Sequence, residues 1–220
     1  MNRKIYYDVH ESGLIYRPDD GEKLSLNWRD IQYIEDRSGD RVDIFLNNQK
    51  EVPVRYATNE FSVLLKTICL KLADIRSESF SSQKFKLTLM YFLHLSFVIS
   101  AIGLFLLGSL FVDKTVFFML LVLSVPFGII LLRQPISLTL KDQSLTVGNL
   151  LAKQTVNYDE IQNIGFEVRR NQYGSTLCIL ITLKDGTEMA FKKFENIILF
   201  FIMLQIKLNE NKRSNNGQQD

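Results

Sequence analysis

The side chains with chemical potential in this 220-residue chain are a scattered set of cations. Arg169 and Arg170 precede a polar Asn171-Gln172-Tyr173-Gly174 segment, Lys192 and Lys193 form a second pair, and Arg37, Arg41 and Arg55 occupy roughly equivalent places nearer the start. Cationic loops of this kind can contact anionic lipid headgroups, at about 1 kcal/mol per basic side chain near such a surface, or they can be ordinary solvated surface. Glu35, Asp36, Asp40 and Asp43 dilute the first set. Other chemistry finds little support. His10 and His94 are the only histidines and stand far apart, so neither a histidine-based triad nor a zinc site of usual spacing can be assembled. No glycine-rich phosphate loop occurs, and the carboxylates show no paired, apolar-flanked arrangement. The expectation is a non-enzyme without metal or cofactor. Cys69 and Cys178 lie in apolar runs and read as small buried hydrophobes.

Net charge is +2. Residues 1–86 carry 14 basic and 14 acidic side chains, and 133–220 carry 11 and 9, so neither part has the cationic excess of a nucleic-acid footprint. The N-terminal residues run into charges without an apolar core of signal-peptide length.

Two long stretches, 87–112 and 115–132, lack Asp, Glu, Lys and Arg. A helix crosses hydrocarbon with roughly 20 apolar residues, so the stretches predict a transmembrane hairpin over 87–132 that turns at Asp113-Lys114. Arg76, Lys84 and Lys86 before it and Arg133 and Lys141 after it place both flanks, and hence both termini, in the cytosol by the positive-inside bias. His94 falls within the first span, where an ionisable side chain draws attention. Gly103, Gly108 and Ser100 would let the two helices approach, and Pro126 would kink the second.

The flanks of that hairpin contain an internal repeat. Residues 23–34 read Lys-Leu-Ser-Leu-Asn-Trp-Arg-Asp-Ile-Gln-Tyr-Ile and 153–164 read Lys-Gln-Thr-Val-Asn-Tyr-Asp-Glu-Ile-Gln-Asn-Ile. Lys23/Lys153, Asn27/Asn157, Ile31/Ile161, Gln32/Gln162 and Ile34/Ile164 are identical at one offset. An apolar run, a polar turn and a second run follow in both: 42–46, 47–50 and 51–54 against 179–183, 184–187 and 188–191. Each predicts a hairpin, with Asp185-Gly186 suited to a tight left-handed turn. Phe61, Leu64, Leu65, Ile68 and Leu72, like Ile197, Phe200, Phe201, Leu204 and Leu208, recur at helical spacing. Upstream, Gly13-Leu14-Ile15-Tyr16 corresponds to Ser144-Leu145-Thr146-Val147. Each half therefore reads as five or six antiparallel strands closed by a helix.

The pattern Lys-x-Ser/Thr-Leu/Val-Asn-Trp/Tyr-x-Asp/Glu-Ile-x-x-Ile, followed by a hairpin and a final helix, resembles the bacterial pleckstrin-homology-like (PH-like) domains, in many of which a helical hairpin sits beside the domain. The hairpin with 136–192 also resembles, more faintly, a photosystem I assembly factor family. The resemblance implies an α+β membrane protein in which two small PH-like β-rolls flank the hairpin: unit 1 at 1–76, a linker at 77–86, the hairpin at 87–132, unit 2 at 133–209 and a disordered tail at 210–220. It implies a multi-pass protein of the bacterial inner membrane. The expected function is a membrane-anchored scaffold or assembly protein whose partners are the lipid bilayer and another membrane or cytosolic protein, with homo-oligomers possible and nucleic acid excluded. An anionic-headgroup sensor using the basic residues is the alternative, and an accessory subunit of a membrane enzyme or transporter the third reading.

Overall fold

The computed structural model describes residues 6–17, 23–37, 41–56, 61–75, 83–87, 89–110, 115, 122, 134–171 and 174–216. Strands predominate, and they are laid out twice in one order. The first half has β1 (Tyr6–Val9), β2 (Gly13–Arg17) and β3 (Leu24–Asn27), a 3-10 turn at Trp28–Asp30, then β4 (Ile31–Arg37), β5 (Arg41–Leu46), β6 (Glu51–Arg55) and helix α1 (Phe61–Ile75). After β7 (Gln83–Lys86) and α2 (Leu89–Leu110) come β8 (Ser137–Leu140), β9 (Ser144–Gly148) and β10 (Lys153–Asn157). A 3-10 turn at Tyr158–Glu160, β11 (Ile161–Asn171), β12 (Gly174–Leu183), β13 (Glu188–Lys192) and α3 (Ile197–Asn216) complete the chain.

The local chemistry of the two halves matches in detail. Trp28 and Tyr158, the aromatic residues that open the 3-10 turns, are both buried. Asn27 accepts the Arg29 amide at 3.0 Å, whereas Asn157 donates its backbone N–H to Glu160 Oε2 at 3.1 Å. Each of these side chains tightens the start of its turn. The strand after each turn is bulged at the same place, across Ile31/Tyr33 and Ile161/Asn163, where both halves carry a glutamine. In both hairpins the residue after the first strand donates back to the 3-10 turn, Asn47 to the Asp30 carbonyl and Lys184 to the Glu160 carbonyl, each at 2.8 Å. Gly13 has a packing requirement of its own, because a Cβ there would run into the backbone carbonyl of Leu26 on the neighbouring strand.

Contacts divide the chain into two compact units. One comprises 1–81, 157–192 and 196–220. Its sheets are β1-β2-β3, β4-β5-β6 and β11-β12-β13, all antiparallel. Alternation sets the core: Ile34, Val42, Ile44, Val52 and Val54 turn one way and are buried, as are Ile164, Phe166, Ile179, Ile181 and Phe191. α1 brings Phe61, Leu64, Leu65 and Ile68 onto Val42, Ile44 and Val54, with a small apolar gap among them. α3 stacks Phe201 on Phe166 at 4.2 Å between ring centroids and sets Phe200 edge-on to Phe191. The helices also cross between halves: α1 packs against α3 and β11, and α3 against β4. Lys66 of α1 donates to Asn163 Oδ1 at 3.2 Å. The two copies of the series are thus interlocked through their helices.

The other unit comprises 82–156 and 193–195. Its sheet runs β10-β9-β8-β7, with Phe85, Leu138, Leu140 and Leu145 buried. Leu87 bridges to Phe194, and Glu195 donates its amide to the Lys86 carbonyl at 2.9 Å. α2 belongs to this unit, and Leu93, Phe97, Ile99, Phe105 and Leu107 are exposed on it.

Several expectations are corrected here. Among the described residues no helix is long and apolar enough to cross a membrane. That finding overturns the transmembrane hairpin, the membrane fold class built around it, and the multi-pass inner-membrane placement with both termini in the cytosol. The expectation rested on the lack of full charges, which is necessary for spanning but does not guarantee one unbroken apolar helix per crossing. The described surface of α2 is interrupted by Ser96, Ser100, Gly103 and Gly108. Of the second stretch only Thr115 and Val122 are described, and Asp113-Lys114 and Pro126 lie outside the described residues. The 77–86 linker contains strand β7 at its end, and 76–82 lie outside the described residues. Within the tail expected at 210–220, α3 continues to Asn216, tied down by Asn211 Nδ2 donating to Asp159 Oδ1 at 2.6 Å and by Lys207 against Glu210 at 3.1 Å, and 217–220 lie outside the described residues.

Candidate interaction face

The side of β4-β5-β6 that faces away from α1 collects most of the polar chemistry of the first half. Strict alternation through Arg41-Val42-Asp43-Ile44-Phe45-Leu46 sends Val42, Ile44 and Leu46 inward and Arg41, Asp43 and Phe45 outward. Register adds Tyr33, Glu35 and Arg37 from β4 and Glu51, Pro53 and Arg55 from β6. Arg37 is paired with Arg41 and Arg41 with Arg55, so three arginines of the sequence-based set form one row across three strands.

At the centre lies Asp43, whose side chain is 0% exposed. Arg37 Nε stands 3.2 Å from its Oδ2, Arg41 Nη2 donates to the same oxygen at 3.4 Å, and Arg41 Nε lies 3.1 Å from Oδ1. That last approach is close enough for an ion pair but off the line of a hydrogen bond, and Oδ1 has no hydrogen-bond partner. Glu35 pairs with Arg37 at 3.3 Å and Glu51 with Arg41 at 3.6 Å. Two guanidinium groups, of Arg37 and Arg41, therefore bridge three carboxylates, and Arg55 follows next to Arg41 in register. Beside them Tyr33 and Phe45 stack with centroids 4.4 Å apart and planes 13° from parallel, and the Arg37 guanidinium carbon sits 5.8 Å from the Phe45 centroid. Tyr33 is 45% exposed.

The same register positions in the second half hold Glu167, Cys178 and Lys192. The arginine row is not repeated. Arg169 and Arg170 lie farther along β11 and belong to a strand, not the loop expected from the polar residues after them. The hairpin of β11 and β12 stays paired out to Asn171 and Gly174. Arg169 Nε is held by Glu167 at 2.8 Å, and Arg170 Nη2 donates to the Tyr56 carbonyl at 3.5 Å. Lys192 ends β13, and Lys193 follows with a left-handed backbone (φ 63°). Both lysines are exposed.

Burial pushes the Cys178 thiol up, an effect that Arg169 and Lys192 partly offset and Glu167 and Asp36 reinforce. Burial likewise raises the Cys69 thiol far above its ordinary value. Asp36 is also raised, first by burial and further by the charge of Glu35, while the hydroxyl of Tyr56, donating to its carboxylate, works in the opposite direction. Tyr56 is buried against Phe61, the first residue of α1. Among the described residues no group of three His, Cys, Asp or Glu side chains could hold a metal ion. His10 pairs with Asp8 at 3.2 Å; His94 is on α2, its side chain outside the described residues.

Sequence reasoning treated Asp43 only as a charge that dilutes its neighbours. The signal that would have found it is alternation itself: with Val42 and Ile44 in the core, Asp43 has to share a face with Arg41. Tyr33 and Phe45 were overlooked for the same reason. No family model matches this sequence, and no curated protein matches it.

Proposed function

We propose that this chain is a non-enzymatic interaction protein in which two copies of a PH-like series of strands, turn, strands and helix present a protein-binding face. The observation that carries this reading is the outer face of β4-β5-β6, where the stacked Tyr33–Phe45 pair lies beside Arg37, Arg41 and Arg55 on a three-stranded sheet. Aromatic and arginine side chains are the types enriched where protein surfaces bind one another most strongly. The interleaved Glu35, Asp43 and Glu51 offset the arginines, which favours a protein surface of mixed charge over an anionic headgroup. The resemblance of both turn motifs to PH-like domains supports the same reading. The test is capture from native extract by the full chain and by Tyr33→Ala and Arg55→Glu variants. A stoichiometric protein partner retained by the wild type and lost at least about tenfold by either variant is expected; a partner held equally by all three, or none, overturns the reading.

A further inference from the structure

Two consecutive leucines stand at the tip of a turn in the unit that holds β7 to β10. β9 ends at Gly148 and β10 starts at Lys153. The connection is fixed by Asn149, whose amide donates to the Ala152 carbonyl at 2.9 Å and whose Oδ1 accepts the amides of Leu151 at 2.9 Å and Ala152 at 2.6 Å. So held, Leu150 is 47% and Leu151 64% exposed. A turn closed by an asparagine needs nothing apolar at its tip. Nor does the repeat demand it, since the first copy carries Pro-Asp-Asp-Gly-Glu-Lys between β2 and β3. Adjacent large apolar side chains held out from a surface mark a place that apolar matter covers.

The sheet beside the turn supplies cations. Phe85, Leu138, Leu145 and Val147 are buried on one of its faces. Directly paired residues share a face, so Lys84, Thr139 and Thr146 form one row on the other face, and Lys86, Ser137 and Gly148 form the next. Thr155 extends the first row, its Oγ1 3.4 Å from that of Thr146, and Lys153 lies two residues before it on the same side. Lys84, Lys86 and Lys153 are exposed, and the four strands contain no acidic residue. Glu195, whose amide bonds to the Lys86 carbonyl, is accompanied by the exposed Lys193. The row of Lys86 and Gly148 closes the end of the sheet from which the leucine turn projects, and β7 leaves that same end towards α2, itself without Asp, Glu, Lys or Arg. Lysines and hydroxyls are not the residue types enriched where proteins bind one another. Leucines beside lysines are the combination that seats a protein on an anionic leaflet, the apolar groups below the headgroups and the ammonium groups among the phosphates.

We infer that the Leu150–Leu151 turn enters one leaflet of an anionic lipid surface while Lys86, Lys153 and Lys84 meet its phosphates. Such contact requires no helix that crosses the bilayer, and it uses a different face from the protein-binding one proposed above. The probe is cosedimentation of the full-length protein with vesicles of phosphatidylcholine, with and without phosphatidylglycerol. Binding to the phosphatidylglycerol vesicles is expected, falling at least about tenfold in a Leu150→Ser/Leu151→Ser protein and roughly fivefold for each of Lys86→Ala and Lys153→Ala. Urea midpoints equal to wild type in these surface variants exclude loss of the fold as the cause. Absence of binding overturns the inference, as does binding that the leucine substitutions leave unchanged or that phosphatidylcholine alone supports equally. Release by millimolar glycerol phosphate would assign the lysines to a single small anion, and stronger retention on polyglutamate than on vesicles would assign them to an acidic protein; either result overturns it.

Discussion

Gln49 and Gly186 occupy the same position in two copies of one hairpin, and both have a left-handed backbone, φ 64° and 84°. In each the preceding side chain caps the turn, Asn48 accepting the Lys50 amide at 3.1 Å and Asp185 the Thr187 amide at 2.8 Å. A residue with a Cβ pays about 1–2 kcal/mol there. Gln49→Gly is accordingly expected to raise stability by about 1 kcal/mol and Gly186→Ala to lower it by a similar amount, read from urea midpoints at unchanged slope. Asp43 carries a larger stake. Removing both Arg37 and Arg41 strands a buried carboxylate, a loss expected to cost about 3–5 kcal/mol, and the triple change that adds Asp43→Ala is expected to recover part of it. A triple variant no more stable than the double would show that the carboxylate is not the source of the loss. Asp36 gives the sign of one pH effect. Its folded value lies above the ordinary 3.8, so the fold favours the protonated form, and the contribution is fully present below 3.8 and lost as pH rises through the raised value. Relative to Asp36→Asn, the wild-type protein is expected to lose stability across that window as pH rises, and equal profiles would contradict the assignment. The raised thiols of Cys69 and Cys178 predict that neither reacts with a thiol reagent until the protein unfolds.

At the scale of elements, the most legible features were those written by short-range rules. The hairpins at 42–54 and 179–191 form where apolar runs flank polar turns, and α1 and α3 begin where Phe61 and Ile197 open helical spacing. Elements whose existence depends on a distant partner were not legible. β7 is only Gln-Lys-Phe-Lys beside a serine-rich stretch, and it becomes a strand because β8 is there to pair with it. Phe85→Ala is expected to destabilise by about 3–5 kcal/mol and to speed amide exchange along β8, whereas Lys84→Ala should do neither. The far end of α3 reads as a polar tail, yet Asn211 and Lys207 hold it through side chains many residues away or one turn on. Arg169 and Arg170 likewise look like loop residues until Ser175 and Thr176 pair with them.

At the scale of the molecule, the repeat was visible in twelve residues around Trp28 and Tyr158, because a buried aromatic, an asparagine cap and a bulged strand are each local demands on residue type. How the two copies associate was not visible, since helix contacts between halves leave no periodic mark. The uncharged stretches pointed to a spanning hairpin, and among the described residues no helix is long and apolar enough to cross a membrane. What remains is a duplicated series in which β11 to α3 group with the first copy, α1 packing on α3 and β11 and α3 on β4, while β7 to β10 belong to the other unit. The most direct measurement of this arrangement is residue-resolved hydrogen exchange at rising, sub-denaturing urea. The account predicts that α1, β4-β5-β6, β11-β12-β13 and α3 reach a common opening free energy and respond together to Phe201→Ala, with β8 and β9 following a separate course. Independent opening of 41–75 and 161–208 would contradict it.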